Sequence, residues 1–413
     1  LFNSNSPEWV KTEGILLSTF PPQGQKTPAA HLNIPLEGSF HLFAHHFVHT
    51  PKDLQTLYLG ILVHNSGDRP VTLQIPQAAS YRLEPDAPFQ SKPAILENPT
   101  GDIFSGPGIR AVDTVLRGQR QRDIPAQITL PPKQSRMILN HPIPVKGLSR
   151  PVNGRSTFMK LRSRGKVYMA SLALFARKNP NGSDRAPSTA EWQQVIEQGG
   201  LAGAREKTPT PPDQKRGSLI YGGVAGIQQG AIWQTTLTDP GSQILALPPA
   251  ETPIAYPIAT LRGGRLGTSQ SQTAPLLARY ADTAYEAHGN YATLYDLTIP
   301  LKNTTPTPQT TTLTVSTPIK EDKLSKNGLR YRNPPLDFPF FRGTIRLRYP
   351  DEQGKSQTRY IHLWHRMGQQ VPPLATLKMA PGEHRTVKVE FFYPPDATPP
   401  QVLSIGTAPA PGS

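Results

Sequence analysis

Residues 58–75 read YLGILVHNSGDRPVTLQI, and residues 295–315 read YDLTIPLKNTTPTPQTTTLTV. Each is an apolar strand with an aromatic start, then an asparagine (Asn65, Asn303), a polar loop and a β-branched strand. Each is followed by a second matching phrase, LPPKQSRMIL at 130–139 and MAPGEHRTVKV at 379–389. A pair of phrases repeated in the same order predicts two copies of one β-sandwich unit. The turn Asn65-Ser-Gly-Asp68 fits a tight reversal, because Asn, Gly and Asp tolerate positive φ or cap a turn.

Composition agrees with an all-β chain. The 413 residues include 47 prolines, about twice the usual share. Proline is poorly tolerated inside helices and accepted at turns and edge strands. No run of about 18 apolar residues occurs, so no transmembrane helix is predicted. The absence of cysteine excludes disulfides and thiolate metal sites. The formal charge is +15, with a pI near 9.9, which favours anionic partners. The basic residues are scattered, with no Lys/Arg run and no nucleic-acid module, which argues against nucleic acid.

Along the chain, residues 1–30 read as an extended lead-in, 31–176 as the first sandwich unit and 217–393 as the second. Residues 76–124 form a long excursion rich in Gly, Pro and Asp. FMKLRSRGKVYMASLALFA reads as a hairpin closing the first unit near Ala176. Residues 177–216 read as a linker around one short helix, 188–198. Ser188 or Thr189 caps it, Glu191 sits in its first turn, and Trp192, Val195 and Ile196 form an apolar face that implies docking on a domain. Residues 394–413 read as a proline-rich surface tail. The sequence therefore predicts two tandem immunoglobulin-like β-sandwich units with long loops and one linker helix.

Two clusters stand out as sites. His41, His45, His46 and His49, with His64 on the next strand, are the candidate metal ligands of a hydrolase. Phe43 and Phe47 alternate with them as a strand requires, and positions four apart in a strand are about 13 Å apart. That spacing favours a His/Phe ladder over one ion, and no HExxH pattern supplies a general base. The segment 341–366 reads as a hairpin with Ile345, Leu347, Ile361 and Leu363 on its inner face. Aligning these places Arg348 near Tyr360, Arg346 near His362 and Thr344 near Trp364, with Arg342 and Arg366 at the end. Such an arginine–aromatic face can stack on sugars or hold carboxylates and sulfates; it can equally be a cation–π ladder stabilising the sheet. The segment 278–291 gathers Asp282, Tyr285, Glu286, His288 and Tyr291 without an assignable acid–base partner. GGVAG and RGGRLG lack the strand–helix context of a phosphate loop, and no GxSxG element occurs. No catalytic residue and no cofactor is assigned.

The runs FNSNSPEWVKTEGILLSTFPP, LYLGILVHNSGDRPVTLQIPQAASY and RYADTAYEAHGNYATLYDLTIPL resemble an uncharacterised cyanobacterial family of exported proteins, a domain of unknown function. FRGTIRLRY and YPPDATPPQVL carry the same resemblance, which spans nearly the whole chain. It implies a cyanobacterial source, a location in the periplasm or at the cell surface, and residues preceding Leu1. It supplies no activity and no site residues. The expected function is non-catalytic: an envelope protein that binds an acidic glycan or another envelope component. The alternatives are a structural or assembly protein of the cell surface and a metal-dependent hydrolase using the His41–His49 region.

Overall fold

The computed structural model describes residues 1–214 and 217–408. In chain order its elements begin β1 (Phe2–Ser4), β2 (Gly14–Ser18), β3 (Leu36–His49), β4 (Leu57–Asn65), β5 (Val71–Arg82), β6 (Ile95–Glu97) and helix α1 (Pro107–Leu116). They continue with β7 (Gln127–Leu130), β8 (Gln134–Ile143), β9 (Val152–Phe175), the ribbon β10 (Arg177–Lys178) and β11 (Asp184–Arg185), and helix α2 (Thr189–Gln198). Then come β12 (Ala225–Gln228), β13 (Ile232–Thr236), β14 (Leu245–Ala246), β15 (Ile254–Ile258), β16 (Leu276–Arg279), β17 (Leu294–Lys302) and β18 (Gln309–Ser316). The last are β19 (Pro339–Pro350), β20 (Ser356–Arg366), β21 (Ala375–Met379), β22 (His384–Phe392) and β23 (Gln401–Thr407). Among the described residues no helix is long and apolar enough to cross a membrane.

The chain folds as two compact units. The first comprises residues 1–89, 106–231 and 274–287; the second comprises 90–105, 232–273 and the chain from 288. In the first unit the 24-residue strand β9 belongs to two sheets. Its first half lies between β3 and β5, and its second half pairs with β4 and β2. One sheet extends through β3, β1, β12 and β16 on one side and β5 and β7 on the other; the second ends in β4 and β8. Leu42, Leu73, Met159 and Leu161 of one sheet and Leu59, Val63, Leu139 and Met169 of the other share one apolar core. Burial of this kind is the main favourable term in folding.

The expected hairpin at 158–176 is therefore a single strand. Leu161, Ser163 and Val167 are buried while Arg162, Arg164 and Lys166 are exposed, so the alternation runs through Gly165 without a turn. The lead-in is also part of the fold, because Phe2, Ile15, Leu16 and Leu17 are buried on strands β1 and β2. The linker is likewise part of the first unit. Ser188 accepts from the Glu191 N–H and Glu191 answers the Ser188 N–H, closing a capping box. The helix lays Trp192 and Ile196 onto Ile15, Leu62, Ala170 and Leu172. Gly60 makes room for the indole: a Cβ there would lie 2.9 Å from Trp192 Cε2. Helix α1 was not legible, because its N-cap is Gly106 and no side chain caps it.

In the second unit, one sheet runs β13-β17-β22-β19-β20-β6, with β14 also on β17, and the other runs β15-β23-β18-β21. Leu297, Ile345, Ile361 and Val389 from the first and Leu313, Val315, Leu403 and Ile405 from the second meet in one core. The expected surface tail supplies β23, which is hydrogen-bonded on both sides, to β15 and β18. Residues 409–413 of that tail, and Lys215 and Arg216 of the linker, lie outside the described residues.

The repeated phrases occupy equivalent places. β4–β5 and β17–β18 each cross from one sheet to the other, and β7–β8 and β21–β22 pair with them in the same order. At each crossing the asparagine is buried and ties the corner. Asn65 Nδ2 donates to the Arg69 and Leu130 carbonyls (2.7 and 3.1 Å), and its Oδ1 accepts from the Gly67 N–H (2.9 Å). Asn303 Nδ2 donates to the Thr307 and Met379 carbonyls (2.9 and 3.0 Å), and its Oδ1 accepts from the Thr305 N–H (3.0 Å). Lys133 and Gly382, at matching positions of the second phrase, both take positive φ (56° and 75°). The second unit continues from its crossing strand to the β19–β20 hairpin; the first has α1 and its flanking loops in the corresponding stretch. Asn65→Ala or Asn303→Ala leaves buried backbone groups without partners, so each is expected to cost roughly 2–4 kcal/mol in urea titration. A loss below about 0.5 kcal/mol for both would contradict the corner's role.

Candidate functional site

The arginine–aromatic hairpin forms on the expected face but two residues out of register. Arg346 lies opposite Tyr360, Thr344 opposite His362, Arg342 opposite Trp364 and Arg348 opposite Thr358. The five-residue loop Asp351–Lys355 sets this pairing: Asp351 Oδ1 accepts from the Gln353 and Lys355 N–H groups (3.0 and 2.9 Å). A slip of two preserves the side-chain face, which is why alternation alone did not fix it. The face is not an open array of cations. Glu390 on β22 accepts from Arg346 Nη2 (2.8 Å) and Arg348 Nε (2.6 Å). Burial pushes the Glu390 carboxyl up, and the two arginines outweigh it and hold the group below its ordinary value. Arg366 is 3.4 Å from Asp337, and His362 is fully buried. This arrangement matches the stabilising ladder better than a ligand surface.

The five histidines do not converge. On β3, His45 stacks on Phe43 and meets Phe47 edge-on (5.9 and 4.9 Å), while His41 meets Phe158 edge-on (5.6 Å). His49 sits 6.0 Å from the Trp9 ring. His46 points to the other face, bonded to Ser4 Oγ and the Pro7 carbonyl (both 2.9 Å). His64 is held by Ser135 Oγ (3.0 Å) beside Phe20. The β3 histidines thus pack against aromatic rings, and His64, the expected fifth metal ligand, lies apart from them beside Phe20. The 278–291 segment also disperses: Asp282 pairs with Arg205 (2.7 Å), Tyr285 lies under Arg279 (3.7 Å), and the Tyr291 hydroxyl donates to the Ala397 carbonyl (2.9 Å).

The first unit contains a polar pocket of about 410 Å³ where β5 meets the start of β9. Arg82, Arg110, Arg155, His141, Asp86 and Asp123 line it. Arg155 is 5% exposed, and its extended strand aims the guanidinium at the pocket floor. Nη1 donates to the Ser80 carbonyl and hydroxyl (3.2 and 3.1 Å) and to His141 Nδ1 (3.3 Å). Nε and Nη2 donate to the Pro142 carbonyl (3.3 and 2.9 Å). None of these acceptors is a carboxylate, and one Nη2 proton has no acceptor among the described residues. Burial, then the Arg82 charge, lowers Arg155 to about 10, so it remains cationic at neutral pH.

The surrounding groups are held in place. Asp86 accepts from Arg82 Nε and Nη2 (3.0 and 2.9 Å), and Arg110 donates to the Asp86 carbonyl while covering the Tyr81 ring at 4.4 Å. Burial, then the Arg155 charge, pushes His141 down to about 4, so it is neutral at pH 7. Because guanidinium has no acceptor, His141 receives at Nδ1 and carries its proton at Nε2, 3.8 Å from Asp123 Oδ2. Three arginines against two aspartates leave one surplus positive charge. The pocket is suited to a carboxylate or sulfate, with Gln121, Tyr81 and Asp123 for hydroxyl groups. Sequence reading passed over Arg155 because nothing in PVNGRSTF marks its burial. The available signal was an arginine without a nearby acid in a run of small and polar residues.

These features define an all-β protein built on a repeated two-sheet element, with an arginine-lined polar pocket in its first unit. The chain belongs to the family described as a protein of unknown function, DUF3370, whose model matches residues 1–407. No curated protein matches it. Among solved structures it is similar, at 9% identity and a TM-score of 0.11, to the crystal structure of Lac15 from a marine microbial metagenome. That match covers 87% of this chain and 51% of the other, so the chain spans about half the length of that protein.

The second unit buries two histidines that are poorly hydrogen-bonded. Among the described residues the ring nitrogens of His362 meet no acceptor or donor within hydrogen-bond geometry, and His365 lies beside the Ala94 carbonyl, which also accepts from the Trp364 N–H (3.1 Å). Burial, reinforced by Lys92 and Arg342, lowers His362 to about 4, and burial lowers His365 to about 3. The unfolded chain binds these protons near the ordinary value of 6.5, so stability is full above that pH and falls as pH drops toward 4. The expected loss is roughly 3 kcal/mol per histidine, measured as Tm against pH. His365→Phe, beside Phe341, is expected to flatten the profile; an unchanged acid limb would contradict the assignment.

Proposed function

We propose that this is a non-catalytic binding protein of the cell envelope whose first unit holds the acidic group of a glycan against Arg155. The observation that carries this reading is a buried guanidinium, bonded only to neutral acceptors, at the floor of a polar pocket. Removing a charge from water is costly unless it is paired; Asp86 and Asp123 act on Arg155 without a direct hydrogen bond, and a ligand carboxylate or sulfate supplies a contacting counter-charge. The overall charge of +15 favours the approach of such a polyanion. Glycans present acidic groups flanked by hydroxyls, which suits the mixed lining of Arg110, Asp123, Gln121 and Tyr81. A cyanobacterial source and export to the periplasm or surface belong to the same proposal and rest on the sequence resemblance. So does the view that the repeated four-strand element is the common part of two immunoglobulin-like units.

Calorimetric titration with uronate-containing and sulfated oligosaccharides tests the proposal. Binding is expected to weaken with added salt and to drop about tenfold or more in Arg110→Gln and Arg155→Lys, as loss of a charge-assisted contact predicts. Arg346→Ala, at the Glu390 clasp, is expected to leave it unchanged. Binding that survives both pocket substitutions in folded protein, or that is lost in Arg346→Ala, would overturn the assignment.

A further inference from the structure

A second cleft of the first unit, enclosing about 500 Å³, is lined by Trp9, Phe47, Leu83, Glu84, Phe89 and Arg150 among others. We infer that it is a binding site for a sugar ring, held by stacking between Trp9 and Phe89. Single exposed apolar side chains are ordinary, but neighbouring ones that line one cleft mark ligand sites, and Trp9 (42% exposed) and Phe89 (41% exposed) both line this one.

Neither ring is exposed through looseness. Residues 8–10 are bonded along β3: the Phe47 N–H donates to the Glu8 carbonyl (2.7 Å) and the Val10 N–H to the Phe47 carbonyl (2.8 Å). This places the indole 5.5 Å from the Phe47 ring. Phe47 in turn lies over Gly154, where a Cβ would come within 2.2 Å of its ring. Phe89 is seated against Gly106, whose φ of 106° and bare Cα leave the space the ring fills; a Cβ there would be 2.3 Å from Phe89 Cε1. The two aromatic walls are thus fixed before any ligand arrives.

The chemistry of the rim selects the ligand. The Glu84 carboxylate, the Arg150 guanidinium and the Trp9 indole belong to a lining that mixes polar and apolar surface, and no side-chain hydrogen bond engages them among the described residues. A wholly apolar ligand would strip water from Glu84 and Arg150 and return nothing. A pyranose offers C–H faces to the indole and phenyl rings and hydroxyl edges to the carboxylate, guanidinium and N–H. The cleft begins one residue beyond the arginine pocket on β5. Arg82 lines one and Leu83 the other, and the Leu83 N–H is bonded to the Gly154 carbonyl next to Arg155 (2.8 Å). The identity of the ligand as a glycan rests on the proposed function, while the stacking site has its own readout.

The test uses neutral trisaccharides of glucose and of N-acetylglucosamine, which cannot engage Arg155 by charge, titrated into the whole protein with tryptophan fluorescence and calorimetry as readouts. Saturable binding is expected that falls about tenfold or more in Trp9→Ala and in Phe89→Ala and is unchanged in Arg346→Ala. Trp9→Phe, which keeps a ring on the surface, is expected to retain most of the affinity. No binding of any neutral trisaccharide at about 10 mM overturns the inference, as does binding indifferent to both aromatic substitutions. Acidic glycans that bind through Arg110 while neutral ones fail would sink this site and leave the proposed function standing. Neutral sugars that bind through Trp9 while acidic ones show no preference would do the reverse.

Discussion

A buried primary amide at a strand crossing organises this protein twice. Each of Asn65 and Asn303 satisfies at least two carbonyls and one N–H at the corner where the chain passes from one sheet to the other. Buried backbone groups must find partners, and a strand that leaves its sheet abandons those of the ladder. The asparagine replaces them and, through Leu130 or Met379, fastens the crossing to the next one. Strands β4, β5, β7 and β8, and their counterparts β17, β18, β21 and β22, pair in the same order around that fastening. What differs between the copies follows from what the chain inserts between the two crossings.

In the first unit the inserted stretch carries α1, Arg110 and Gln121, and the strand beyond the second crossing is β9, long enough to serve both sheets. The buried start of β9 carries Arg155 opposite Arg82. The polar pocket is thus a consequence of the fold: β5 supplies one wall, the loop before β7 another, and β9 the floor. In the second unit the inserted β19–β20 hairpin places its arginines beside β22, and Glu390 takes up Arg346 and Arg348. The same residue type therefore serves structure in one copy and leaves an incompletely paired cation in the other. The distinction lies in whether a carboxylate shares the strand layer.

The repeat was legible because its signal is local: an asparagine, a short polar loop and flanking strands of fixed period. The capped helix at Ser188 was legible for the same reason. Where reading failed, the deciding partner was distant. Gly165 between basic residues imitates a turn, and only the pairing with β3, resumed at Val167 beyond an irregularity at 164–166, and then with β4 keeps the strand going. The 339–366 hairpin kept its face but not its register, since a shift of two is silent in the hydrophobic pattern. The histidines advertised a metal site through residue type, whereas the structure uses them as rings between Phe43, Phe47 and Phe158. Arg155 carried only a faint signal, an arginine with no acid close by in the sequence, because its burial is a tertiary property.

In the proposed function Arg155, and not the arginines of the second unit, is the cation available to a ligand. That assignment is tested most directly by nuclear magnetic resonance of the arginine Nε–Hε groups during titration with glucuronate and with a sulfated sugar. The account predicts saturable shifts of the Arg155 and Arg110 signals, with those of Arg346 and Arg348 held in place by Glu390. Shifts of Arg346 and Arg348 with Arg155 unmoved would contradict it.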